Sequence, residues 1–196
     1  MRRIIRICSL CLVAVFPMVL SPAYGEEAEP AGAGATTEAR SMAPIPELLS
    51  KARYLTRKKA NLKAQYYGFL RSASWCVPCQ MFVPKLLKDY RKMKGAKMEL
   101  VLLGQEDEDV VKKYMEEHDY DIPGVMPAEL GSIPGLNYEG LGFPSLCIVD
   151  ADGNFIAAKG GIYMLQWKDI LKEHKKQLLK EKREAKKKKA REERDR

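Results

Sequence analysis

Apolar residues recur along this chain with two different periods, and the changeovers between them outline the fold. Runs rich in aliphatic and aromatic side chains at Ala64–Leu70 (AQYYGFL), Lys97–Leu103 (KMELVLL), Ser145–Val149 and Phe155–Lys159 predict strands. Between them the spacing is helical. Leu48, Leu49, Ala52 and Leu55 share one side of a helix expected from Pro46 to about Lys59, and Phe82, Leu86, Leu87 and Tyr90 do so over Gln80–Met93, where Pro84 should introduce a kink. Glu106–His118 reads as a helix whose acidic-then-basic order suits the macrodipole. Asp121–Gly142 carries Pro123-Gly124, Pro127 and Pro134-Gly135 and is long for a loop, so a short helix is expected around Ala128–Leu136. Ala151-Asp152-Gly153-Asn154 reads as a hairpin turn, Gly160-Gly161 ends the returning strand, and a long helix is expected from near Met164. Strands joined by helices imply parallel pairing, and the hairpin adds antiparallel strands. An α/β fold follows, with a mixed central β-sheet and helices on both faces.

At 196 residues, 46% of them hydrophobic, the chain can bury one ordinary domain with appendages. Residues 1–25 begin with Arg2, Arg3 and Arg6, continue through an apolar stretch and end on small residues, which reads as a signal peptide. An uncleaved membrane anchor is the less favoured alternative, because Pro17 and Pro22 interrupt a run already short of the roughly 20 apolar residues a span needs. Residues 26–43 lack large apolar side chains and read as a flexible linker. The domain is expected over residues 44–179 and a basic charged tail over 180–196.

Charge changes the picture only when it is located. Of the net +8, residues 168–196 hold 14 Lys and Arg against 7 Asp and Glu, and the leader adds three arginines, which leaves residues 26–167 at −2. The basicity is therefore a tail. It includes four consecutive lysines, Lys186–Lys189, but acids interleave with them, so a solvated helix is the expected state, with no nucleic-acid role. Weak contact with an anionic envelope surface is the interaction this charge allows.

The candidate chemistry lies at Ser74-Trp75-Cys76-Val77-Pro78-Cys79, between a predicted strand and a predicted helix. Cys76 then falls at a helix N-terminus, where free backbone N–H groups and the macrodipole favour a thiolate and make it an exposed, low-pKa nucleophile; Cys79, one turn on, is the shielded resolving partner. Of five cysteines, Cys8 and Cys11 lie in the leader, and Cys147 lies among Leu146, Ile148 and Val149, where a thiol behaves as a small inert hydrophobe. Neither His118 nor His174 completes a four-ligand zinc set with the pair, so no metal is expected.

Trp75-Cys76-x-x-Cys79 after a strand, Pro84 five residues beyond the second cysteine, and Gly142-Phe143-Pro144-Ser145 before a strand and an Asp-Gly hairpin together resemble the thioredoxin superfamily. The serines of Ser72-Ala73-Ser74, the charged Glu106–Asp109 segment and the Gly-Phe-Pro-Ser sequence look closest to its tryparedoxin/nucleoredoxin and exported bacterial thiol-disulfide oxidoreductase branches. The resemblance implies a thioredoxin-like fold, a redox-active Cys76–Cys79 disulfide without cofactor, and a cis-proline loop at Phe143-Pro144. Trp75, Val77, Pro78, Phe143 and Pro144 would then line the substrate-binding surface. The position of the buried acid found beneath the disulfide in many members is Leu70 here, so that part of the family's proton transfer does not carry over.

These readings imply an exported thiol-disulfide oxidoreductase, a reductase or isomerase of protein disulfides rather than a strong oxidant. It would be periplasmic in a Gram-negative source and extracellular otherwise, monomeric, with protein thiols and disulfides and a redox partner as its ligands. The alternative is a thioredoxin-fold binding module of the cell envelope without redox turnover.

Overall fold

The computed structural model describes residues 44–131, 133 and 135–194. The leader and linker expected at residues 1–43 lie outside these, as do Ser132, Pro134 and the last two residues. Strands β1 (Tyr66–Arg71), β2 (Met98–Leu103), β3 (Gly124–Val125), β4 (Ser145–Asp150) and β5 (Phe155–Gly160) form one sheet in the order β3-β2-β1-β4-β5. β1 pairs parallel with β2, and β2 with β3; β4 runs antiparallel to both β1 and β5. The mixed sheet expected from the alternation of periods is thus present.

The pleat sends alternate residues to opposite cores. On one face Tyr66, Leu70, Leu100, Leu102, Leu146 and Ile148 pack with helices α2 (Val77–Leu87), α3 (Tyr90–Gly95), α4 (Glu108–Glu117) and α6 (Trp167–Arg194). On the other, Tyr67, Phe69, Val101, Leu103, Cys147 and Val149 pack with α1 (Ile45–Lys51) and α5 (Pro127–Leu130).

Several boundaries differ from those the pattern predicts, each for a long-range reason. The first helix ends at Lys51 rather than near Lys59. Ala52 turns extended, Tyr54 bridges Val125, and the Leu55 N–H donates to the Gly124 carbonyl at 2.8 Å, so this stretch is drawn onto the sheet margin. The expected kink at Pro84 does not interrupt α2. The break comes at Lys88-Asp89, where the Asp89 carboxylate accepts from the Trp167 indole at 3.3 Å and pairs with Lys92 at 2.6 Å. The Pro/Gly-rich stretch holds a two-residue strand, β3, and a helix of only Pro127–Leu130.

The hairpin between β4 and β5 is closed by Asp150, whose side chain accepts from the backbone N–H groups of Asp152 and Asn154. Gly153 there has φ +87°, a conformation that glycine adopts without a Cβ clash. Before α6 comes a 3-10 turn, Gly161–Gln166, so the last helix starts at Trp167 and not near Met164. It then runs unbroken through the expected domain boundary at Leu179, exposed from Glu181 to Arg194.

Candidate active site

β1, the central strand, delivers the chain to one end of the sheet at Arg71, and Ser72-Ala73-Ser74-Trp75 carries it into α2. Cys76 is the N-cap of that helix, in an extended conformation, with Pro78 in the first turn. Proline suits this place because the first helical N–H groups have no intrahelical acceptor to lose. The Cys79 N–H donates to the Cys76 sulfur at 3.2 Å, and the two cysteines form a disulfide with a Cα–Cα distance of 5.2 Å. Both pack with Leu70, Ala73 and Val83.

Cys79 is fully buried and Cys76 is 3% exposed. The expectation of an exposed nucleophile is therefore corrected: in the disulfide form Cys76 shows only a sliver of surface. What is exposed is its surround. Trp75, Val77 and Met81 all stand more than half open to solvent, with Pro78 exposed between them. An apolar rim thus frames a nearly covered sulfur.

The loop before β4 closes the other side. The Phe143–Pro144 peptide is cis, Pro144 is buried, and the Phe143 ring meets the Trp75 ring edge-on with centroids 5.6 Å apart. The Pro144 carbonyl is taken by the Gly161 N–H at 2.9 Å. Among the described residues the Phe143 N–H and C=O have no backbone partner, so one peptide edge next to Trp75 remains open for pairing. All seven residues singled out in the sequence, Trp75 to Pro78, Cys79, Phe143 and Pro144, therefore lie within two adjoining segments at one end of the sheet.

Two residues at this end were not among the site residues expected from the sequence. Glu106, just past β2, accepts from the Ser74 N–H at 2.6 Å and from its hydroxyl at 2.7 Å, while the Gln80 amide donates to the Ser74 carbonyl at 3.1 Å. Every polar group of Ser74 is held, two residues before Cys76. Arg71, the last residue of β1, lays its guanidinium over the rings of Phe143 at 4.6 Å and Tyr138 at 4.7 Å. Both residues act across the sheet end, where parallel and antiparallel neighbours of β1 terminate together; only the charged Glu106–Asp109 run hinted at the first.

Cys147 is fully buried on the opposite face of the sheet, its thiol directed to the Gly135 carbonyl at 3.4 Å. Burial pushes this thiol up to about 11. His118 meets the Tyr114 ring edge-on and the Tyr120 ring at a tilt, and His174 packs edge-on against Tyr66. Among the described residues no cluster of three metal-ligating side chains occurs.

The chain is 31% identical over 115 residues to nucleoredoxin of Xenopus laevis, an overlap covering 57% of this chain and 28% of that one. It is 31% identical over 122 residues to nucleoredoxin of Danio rerio, covering 60% and 29%. The chain spans less than a third of the length of these curated relatives. No family model matches. Among solved structures, a thioredoxin from Wuchereria bancrofti superposes with a TM-score of 0.47 at 26% identity over 59% of this chain and 84% of that one. A thioredoxin-family thiol:disulfide interchange protein from Chlorobium tepidum does so with a TM-score of 0.44 at 22% identity, over 56% and 79%. With Cys76-x-x-Cys79 opening α2, Phe143-Pro144 leading into β4 and strands in the order β3-β2-β1-β4-β5, the chain has a thioredoxin-like α/β fold and is similar in sequence to these nucleoredoxins.

Proposed function

We propose that the protein is a thiol-disulfide oxidoreductase acting on protein thiols and disulfides, with Cys76 as nucleophile and Cys79 as resolving thiol. The observation that carries this reading is the Cys76–Cys79 disulfide at the N-cap of α2, with the Cys79 N–H on the Cys76 sulfur. That N–H and the helix N-terminus stabilise a thiolate at Cys76 once the bond is reduced, and among the described residues no N–H donates to the Cys79 sulfur.

Reduction of a substrate then proceeds in two exchanges. The Cys76 thiolate attacks one sulfur of the substrate disulfide, forming a Cys76–substrate disulfide and releasing a substrate thiolate that takes a proton from water. Cys79 gives up its proton to water and attacks the Cys76 sulfur, which restores the Cys76–Cys79 disulfide and expels the second substrate sulfur as a thiolate that is then protonated by water. Two electrons pass to the substrate, and an external dithiol must return them. The open peptide edge of Phe143 and the exposed faces of Trp75, Val77 and Pro78 supply a surface on which an extended substrate segment can lie.

We take the direction to be reductase or isomerase. A strong oxidant draws its power from an unusually stabilised thiolate. Here the helix terminus is the main source of stabilisation, Val77-Pro78 adds no charge, and the Glu106 carboxylate held on Ser74 opposes a second negative charge nearby. Export is proposed on the leader sequence of residues 1–25.

A redox titration of Cys76–Cys79 against glutathione buffers tests direction; a potential near about −120 mV, that of a strong oxidant, would overturn it. Cys79→Ser tests the chemistry: it should accumulate mixed disulfides through Cys76 on non-reducing gels. If it traps no more than the Cys76→Ser/Cys79→Ser double variant, the binding-module alternative replaces the enzyme.

A further inference from the structure

Arg71 is placed unlike the other arginine anchored between elements. Arg53 uses its guanidinium on Glu108 and Glu129, at 2.5 to 3.3 Å. Arg71 is half-buried, ends β1 opposite Ser145 in the β1–β4 register, and rests on the rings of Phe143 and Tyr138. The Tyr138 hydroxyl is itself tied to the Phe69 carbonyl at 2.8 Å, so one of the two rings is anchored to the sheet. Among the described residues no ion pair engages Arg71.

The guanidinium carbon lies 4.6 and 4.7 Å from the two ring centroids, within reach of cation–π attraction, and among the described residues no hydrogen bond or ion pair engages its N–H groups. The guanidinium thus lies over the Phe143 ring, which in turn meets the Trp75 ring, at the margin of the surface proposed for substrate. A planar fork of donors placed on two rings and without an acid to satisfy it matches a carboxylate in bidentate geometry.

We propose that Arg71 selects substrates by binding an acidic side chain, Asp or Glu, close in sequence to the reactive cysteine. The partner is a protein segment that is extended, apolar against Trp75 and Val77, and negatively charged on the side facing β1. This inference rests on the oxidoreductase reading and names the substrate class of the same site. Arg71 contributes to recognition and not to the exchange itself, since it holds neither sulfur.

The test is a single-turnover reaction of the pre-reduced, full-length protein with homodisulfides of short peptides that differ only in carrying Asp, Asn or Lys beside the cysteine. The protein dithiol supplies both electrons, and each peptide disulfide yields two thiols, so no other reductant is needed. The Asp peptide should be reduced about fivefold faster than the Asn peptide at low salt, the order expected for a half-exposed charge pair, with the Lys peptide slowest. The basic helix α6 would attract any acidic peptide, so the Asp/Asn ratio is measured again in Arg71→Gln, where it should fall to near one. Equal rates for Asp and Asn in the native protein overturn the proposal, as does an unchanged ratio in Arg71→Gln, which would assign the preference to α6. If none of the three peptides is reduced, the oxidoreductase reading fails and this one falls with it.

Discussion

The sheet separates two sulfur sites that are almost equally hidden and chemically opposite. Cys76 is 3% exposed on one face, and Cys147 is fully covered on the other, one position removed from Leu146 and therefore turned the other way by the pleat. Burial alone would make both inert. Cys76, however, caps a helix and receives the Cys79 N–H, whereas Cys147 lies in the middle of β4 opposite Phe69, with a peptide carbonyl as its neighbour. At Cys147 burial outweighs the Asn137 backbone N–H and pushes the thiol up, whereas at Cys76 the Cys79 N–H and the helix N-terminus both favour the anion, so a sulfur's chemistry follows from its coverage and its polar neighbours together.

The sharpest break between the two sites should come from deletion of each sulfur. Cys76→Ser should lower the rate of disulfide exchange by more than about a thousandfold in an insulin- or peptide-reduction assay, because a hydroxyl does not replace the thiolate. Cys147→Ala should leave that rate within twofold, an order-of-magnitude expectation for a residue on the far face. It should instead cost on the order of 1 kcal/mol in denaturant unfolding, for the lost contacts and the small cavity. A large loss of activity in Cys147→Ala with stability intact would mean that the far-face sulfur takes part in the reaction.

The smallest effect concerns alkaline pH. The Cys147 thiol is pushed by burial from the ordinary value of 9.0 up to about 11. The unfolded chain therefore loses this proton before the folded one does, and the stability linked to it is fully present below about pH 9 and disappears as pH rises toward 11. Unfolding free energy should accordingly fall more steeply over that interval in the native protein than in Cys147→Ala. Identical slopes in the two would show that Cys147 reaches solvent.

Much of this was legible along the chain because it depends on neighbours in sequence. The two periods marked β1, β2, β4 and β5; Asp-Gly marked the hairpin; and a cysteine pair between a strand and a helix marked the N-cap of α2. The same logic placed Cys147 in a buried strand. Side-chain alternation and helix capping are local physics, set by backbone geometry within a few residues.

What depended on contacts far apart in sequence was decided only by the fold. The two-residue β3 carries no pattern of its own and exists because β2 pairs with it, and that pairing also draws Leu55 out of the helix its spacing predicts. The break at Asp89 follows from a partner 78 residues away, Trp167, and not from Pro84. At the site, Glu106 reaches Ser74 across 32 residues, and Arg71 finds Phe143 because β1 and β4 end side by side. Charge and aromatic character can be read in a sequence, but which ring a guanidinium meets is a matter of where two strands stop, and one-dimensional spacing holds no record of that.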